Sequence, residues 1–361
     1  MRIADIHCDT ILKIQGGADI AAGIPWGHID IDRLREGDVA LQVFACFISS
    51  VVPKNKANEE AHKLIDLIEE TCQKNKQYLQ LVAEFDEVKN ILASPGTGII
   101  IALENGHSIA NNLKNLERFR LRGVRYMTLT HARNLDWAAS STEKVCPFNG
   151  LTPFGEKVIA AMNEMGIIID TSHVHESTFW KVIKVTKKPL IASHSNVAQI
   201  CPIARNLSDD QIKAIADSGG MVGINFFPGF LDQEYNRVQE KRCGDLFASL
   251  DEIEMKYFHD PVKKIKALLK FDRDFRKRME GIEVGLDCII QHIEYIIKLV
   301  GDEYVGFGSD FDGIPVLPKN VKGCNVYPEI LAKLGERGII DKSLEKIAYL
   351  NFLRVLYENK S

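Results

Sequence analysis

The chain has 361 residues, of which 45% are hydrophobic and 26% charged, and its formal net charge is -4. This is ordinary globular composition with ample length for a large core, and without a basic excess it predicts no nucleic-acid partner. No apolar run reaches the roughly 18 residues that a membrane-crossing helix needs, and the ends carry neither a secretion leader nor a lipid-anchor signal, so a cytoplasmic protein with no membrane partner is expected.

Short apolar runs alternate with amphipathic stretches almost throughout. The first run, 3–8, contains His7 and leads at once into Asp9. The second, 39–48 (VALQVFACFI), precedes an amphipathic stretch at 57–78. The third, 98–104 (GIIIALE), stops abruptly on Glu104 and is followed by a helix pattern over 112–121. The fourth, 124–131 (VRYMTLTH), ends on His131 before a helix at 154–165. The fifth and sixth, 166–173 and 188–194, end on His173 and His194, with helices at 176–184 and 208–218. The seventh is 220–227 (GMVGINFF). Residues 228–279 are more charged and more helical than a plain connection requires, and read as an insertion. After a helix at 280–300, the eighth run, 303–310, ends on Asp310, and helices at 326–337 and 342–357 close the chain.

Eight strands separated by helices predict a parallel sheet, and eight is the number that closes a (β/α)₈ TIM barrel. The expectation is one α/β domain over 1–361, with a helical insertion at 228–279 after strand seven. Barrel active sites lie at the C-terminal strand ends, where His and acidic residues gather here. The eight cysteines are scattered, with no CxxC pair, and are expected to be reduced thiols.

Three imidazoles and two carboxylates on one rim suit a zinc site. His7 and Asp9 share a strand face by the period of two, whereas Cys8 points to the other face. Glu104 closes an apolar run, so its carboxylate must be paired, protonated or metal-bound, and its two oxygens can bridge two ions. The grouping expected is His7, Asp9 and Glu104 for one metal, with Glu104, His173 and His194 for the other. Two such ions hold a bridging hydroxide, the expected nucleophile. His131 is placed to donate to an oxyanion. Asp310 is the proton carrier, preferred to Asp312, which falls beyond the strand end. Arg205 can grip a carboxylate in bidentate fashion, although spacing alone favours a surface arginine capping the next helix. His175 shares the parity of His173 but lies at a helix start; His107 is read as support for its loop. His28, His62, His259 and His292 are read as structural or exposed.

These residues sit in the segments DIHCDT, ALENGHSI, RYMTLTHARN, GLTPFGEKVI, IDTSHVHE, ASHSNV, ARNLSDD, INFFPGF, GFGSDFDG and NFLRVLYE. In that order, over nearly the whole chain, they resemble the membrane dipeptidase (renal dipeptidase) family of zinc metallopeptidases, as a soluble microbial-type member. The resemblance implies a (β/α)₈ fold, two zinc ions per subunit and hydrolysis of dipeptides with free amino and carboxyl ends, in some members with a C-terminal D-residue. It implies that His7 and Asp9 bind one zinc, Glu104 bridges, and His173 and His194 bind the other. It also implies oxyanion contact by His131, a substrate-carboxylate anchor at Arg205 and acid/base work by Asp310. Phe230 stands where some relatives carry a pocket tyrosine, and Asn105 stands where EGG is more usual than ENG. The rival readings are a dinuclear amidohydrolase acting on a lactam, lactone or N-acyl amino acid, and a non-catalytic metal-binding barrel. A homodimer is the assembly that barrels of this size often form, and the insertion offers an interface.

Overall fold

The computed structural model describes residues 1–360. Nine strands make one sheet: β1 Ile3–Cys8, β2 Val39–Phe47, β3 Leu79–Leu81, β4 Thr97–Glu104, β5 Val124–Thr128, β6 Ile168–Asp170, β7 Ile191–Ala192, β8 Met221–Ile224 and β9 Val305–Phe307. All pairings between them are parallel. β1 pairs with both β2 and β9, and β2 pairs with β4, so eight strands close into a barrel. The ninth, β3, lies beside residues 97–99 of β4, while β5 takes the same side from Ile101 onward. It is an addition to the eight strands expected.

Two apolar layers hold the barrel. Ala4, Ile6, Leu41, Val43, Ile100, Ala102, Tyr126, Ile168, Ile191 and Met221 touch one another although their strands lie around the whole ring. Only side chains inside a closed barrel can meet in that way. Phe352, Val355 and Leu356 of the last helix join this cluster and plug the N-terminal end. A larger cluster, including Cys8, Phe44, Ile101 and Phe119, fills the space between strands and outer helices. β1 does not alternate simply: its register on β2 shifts between Asp5 and Cys8. Ile6 therefore faces the barrel interior, yet His7, its neighbour, still reaches the rim.

Several strands end sooner than the sequence suggests. His131, His173, His194 and Asp310 all lie past the last ladder residue. Two buried carboxylates explain much of this. Asp170 accepts from the backbone N–H of Ser172 at 3.0 Å and of Ser193 at 2.8 Å. Asp5 accepts from the Ser309 N–H at 3.0 Å and from the Ser309 hydroxyl at 2.7 Å. Side-chain acceptors thus take the donors that would have extended β6, β7 and β9.

Between β8 and β9 the chain forms a short helix, Pro228–Leu231, and two long ones, Gln233–Tyr257 and Pro261–Arg278. Arg133, in the loop after β5, donates through Nε to Asp251 of the first long helix at 3.1 Å. The helical segment is thereby tied across to the rim.

His292 is buried on the helix Asp287–Val300. Its Nδ1 accepts from the Val197 N–H at 3.0 Å, and its Nε2–H donates to the Leu231 carbonyl at 2.9 Å. Both bonds need the neutral ring, and burial holds its pKa down to about 4 from 6.5. A depressed folded-state pKa means that the unfolded chain takes the proton first. This contribution is complete above pH 6.5 and is lost as pH falls towards 4, about 3 kcal/mol in all. His292→Gln, which does not titrate, should flatten that part of the acid limb in urea unfolding measured from pH 7 to 4.

Candidate metal centre

The five expected metal ligands meet at the C-terminal mouth of the barrel. The two carboxylate oxygens of Glu104 face different partners. Oε2 lies 3.6 Å from His7 Nε2. Oε1 lies 3.4 Å from His173 Nε2, 3.6 Å from His194 Nε2 and 3.8 Å from His131 Nε2. Asp9 Oδ2 stands 3.9 Å from His7 Nε2. Three donor triads form within 4.8 Å: His7, Glu104 and His194; Glu104, His131 and His173; His7, Asp9 and Asp310. The geometry therefore draws His131 and Asp310 into the same donor shell, closer than the sequence grouping placed them.

The cluster attracts positive charge. Burial works against the protonated ring of His7, yet Glu104, Asp9 and Asp310 outweigh it and raise its pKa to about 10. Burial also works against ionised Glu104, but His7, His173 and His131 hold it well below the ordinary carboxylate range. Burial keeps His173 and His194 neutral, helped at each by Arg205. Neutral imidazoles are metal ligands as they stand.

The residues fit a metal. His7 Nε2 is a buried polar atom with no hydrogen-bond partner, and it points among carboxylates. His173 Nε2 and His194 Nε2 face each other at 2.8 Å. Nitrogen and carboxylate donors aimed at common points are what zinc-type ions take.

The remaining site residues line the same mouth. Arg205 donates from Nη1 to Ser195 Oγ at 2.7 Å and from Nη2 to the His194 carbonyl at 2.8 Å. Its guanidinium lies 5.6 Å from the Phe230 ring centre, and its Nε is sealed without a partner. Among the described residues no carboxylate pairs with it, and burial lowers its pKa to about 10. It does not cap the helix Asp209–Asp217, whose cap is Ser208. His131 tilts against Phe47 at 4.5 Å and His173 at 4.3 Å between ring centres. Asp310 accepts from Asn225 Nδ2 at 2.8 Å through Oδ2. Burial pushes the Asp310 pKa up to about 6, against the pull of His7.

Asp312 is spoken for elsewhere: it accepts from the Thr10 hydroxyl at 2.7 Å and the His28 N–H at 2.8 Å. His175 caps the helix Glu176–Val185 by accepting from the Ser177 N–H at 3.1 Å. His107 donates from Nε2 to the Val52 carbonyl at 2.7 Å. Cys8 is buried away from the cluster, within reach of the Thr10 hydroxyl.

Left-handed backbone gathers at the mouth: φ is +65° at His173, +62° at Asp310 and +85° at Asn105. At Asn105 this region favours glycine, which explains the usual EGG form, but asparagine tolerates it. Its side chain accepts from the His107 N–H at 3.2 Å and donates to the Ile48 carbonyl at 2.9 Å and Ser50 Oγ at 2.8 Å. Asn105→Ala keeps the strain and loses the bonds, so unfolding stability should drop by about 2 kcal/mol; denaturant titration checks this.

Asn225 and Gly313 belong to the site without a signal in the sequence. A Cβ on Gly313 would come within 2.2 Å of Asp9 Oδ2 and 2.5 Å of Asp310 Oδ1. Asn225 lies in an apolar run without a flanking motif, and the glycine of DFDG reads as a plain turn.

A closed parallel barrel with nitrogen and carboxylate donors converging at its C-terminal mouth defines a metal-dependent hydrolase. The chain belongs to the membrane dipeptidase family (peptidase family M19), whose model matches residues 1–361. It is thus a metallopeptidase that hydrolyses the peptide bond of dipeptides. It is 29% identical over 379 residues to an uncharacterized dipeptidase of Schizosaccharomyces pombe, covering 98% of this chain and 79% of that one. It is 28% identical to dipeptidase 3 of Mus musculus, over 91% of this chain and 57% of the mouse protein. Among solved structures, a Rhodobacter sphaeroides metallopeptidase liganded with a phosphinate mimic of L-Ala-D-Ala superposes with a TM-score of 0.81 at 23% identity, over 99% of each chain. The probable dipeptidase PvdM of Pseudomonas aeruginosa superposes with a TM-score of 0.82 at 22% identity, over 99% of this chain and 95% of that one.

Proposed function

We propose that the protein cleaves dipeptides bearing a free amine and a free carboxylate, with two zinc ions shared through Glu104. The observation that carries this is Arg205, a guanidinium beside the donor cluster with no acidic partner of its own. A half-buried cation without a counter-charge is poorly compensated, and a substrate carboxylate supplies one in bidentate form. His7, Asp9 and Glu104 would hold one ion, and Glu104, His173 and His194 the other. When bound, such a pair activates water at neutral pH and polarises the scissile carbonyl.

The chain's own groups supply the rest. Arg205 sets the register of the substrate by gripping its C-terminal carboxylate, with the Phe230 ring stacked against the guanidinium. His131, neutral through burial, donates a hydrogen bond to the developing oxyanion. Asp310 has Oδ2 tied to Asn225, which leaves Oδ1 to carry a proton towards the departing amine. Acceptance of a C-terminal D-residue is part of this reading.

Hydrolysis of L–L and L–D dipeptides, assayed before and after chelation and zinc return, tests it. Zinc-restored cleavage of free dipeptides is expected, with lactams and N-acyl amino acids turned over poorly. Cleavage of N-acyl amino acids or lactams in preference to dipeptides would overturn the substrate assignment.

A further inference from the structure

Each of two histidines at the metal centre has its far nitrogen against a hydroxyl whose own hydrogen is already committed. Tyr126 OH donates to the Ile6 carbonyl at 2.8 Å. A carbonyl only accepts, so the same hydroxyl faces His7 Nδ1 at 2.7 Å as an acceptor. His7 must then carry a hydrogen on Nδ1. Ser193 Oγ repeats the arrangement: it donates to Asp170 Oδ2 at 2.6 Å and faces His194 Nδ1 at 2.7 Å. Asp170 is fully buried and filled, since it also accepts from Thr128 Oγ1 at 2.5 Å and from two backbone N–H groups. The Ser193 hydrogen goes to this carboxylate at 2.6 Å rather than to the neutral Ser172 Oγ at 3.4 Å, because the bond to the charged oxygen is the shorter and stronger.

We infer that Tyr126 and Ser193 are positioning residues that fix the hydrogen of His7 and of His194 on Nδ1. In each ring Nε2, 3.6 Å from a different oxygen of Glu104, is thereby left as the nitrogen that would take a metal ion. The inference rests on the reading of His7 and His194 as zinc ligands. It extends that reading to one residue within β5 and one just past β7, and to two different anchors, a neutral carbonyl and a buried carboxylate. A ligand histidine whose outer nitrogen is held keeps its ring orientation and basicity, and loss of such a partner typically weakens metal binding about 10- to 100-fold.

The test uses zinc ion and the full chain. Zinc affinity is measured by competition with a chromophoric chelator for the wild type, Tyr126→Phe, Ser193→Ala, His7→Ala and His194→Ala. The ring ¹⁵N–¹H signals of His7 and His194 are recorded in the zinc-loaded protein. Expected are roughly 10- to 100-fold weaker binding in Tyr126→Phe and in Ser193→Ala, and loss of the protected Nδ1–H signal of His7 or of His194, respectively. A merely structural hydroxyl would lower thermal stability but leave the Nδ1–H signal protected, and that result overturns the inference. Wild-type zinc affinity in His7→Ala and His194→Ala would instead overturn the ligand assignment itself, and the inference with it. The two failures are told apart by which variants keep their zinc.

Discussion

Arg205→Met lowers kcat/KM for dipeptides with a free carboxylate by roughly 10²- to 10⁴-fold, and leaves the slow turnover of C-terminally amidated analogues nearly unchanged. The magnitude follows from leaving one member of a desolvated charge pair without its partner, about 3–5 kcal/mol. The variant also removes the bonds to Ser195 Oγ and the His194 carbonyl. Metal content and thermal midpoint are therefore measured alongside. If those stay near wild type while only the carboxylate-bearing substrates suffer, the loss belongs to substrate binding. Arg205→Lys should recover little, because a lysine offers one point charge where the site holds a planar fork. Equal losses on free and amidated substrates would remove Arg205 from the carboxylate role.

Gly313→Ala lowers kcat/KM by about 100-fold or more with little change in thermal stability. The residue is exposed at the mouth and its φ is not in the left-handed region, so alanine brings no backbone strain. The added methyl, however, would lie 2.2 Å from Asp9 Oδ2 and 2.5 Å from Asp310 Oδ1. One or both carboxylates must move by an appreciable fraction of an ångström to an ångström. Displacements of that size cost about 10² in rate when orientation is the source of catalysis. Zinc content is expected to fall as well if Asp9 moves. Wild-type kinetics in this variant would show that neither carboxylate needs its present place.

The sequence made the barrel legible because the strands leading to the rim are apolar runs cut off by charged or histidine residues. Glu104 is the clearest instance, since β4 continues to that residue and stops. His173 and His194 were found for a slightly different reason from the one that holds. They stand in loops beyond β6 and β7, where Asp170 has taken the ladder's donors. Asp170 itself carries no signal in the sequence, because no periodicity marks a carboxylate that serves backbone groups on two strands. β3 was missed because three residues, Leu79–Leu81, carry no pattern of their own beside the long amphipathic stretch before them. The partners of His7 and Asp310 were also hidden. Tyr126 looked like one more barrel residue, and Asn225 sits 85 positions from the aspartate it holds. Contacts of that span depend on closure of the ring, which local sequence does not encode. Only the family resemblance, not spacing, raised Arg205 above a surface cap.

The proposed function has Glu104 divide its oxygens between two ions. The direct measurement is anomalous diffraction at the zinc edge from crystals of the zinc-loaded protein. Two peaks are expected, one among Glu104 Oε2, His7 and Asp9 and one among Glu104 Oε1, His173 and His194. A single peak, or peaks away from Glu104, would contradict it.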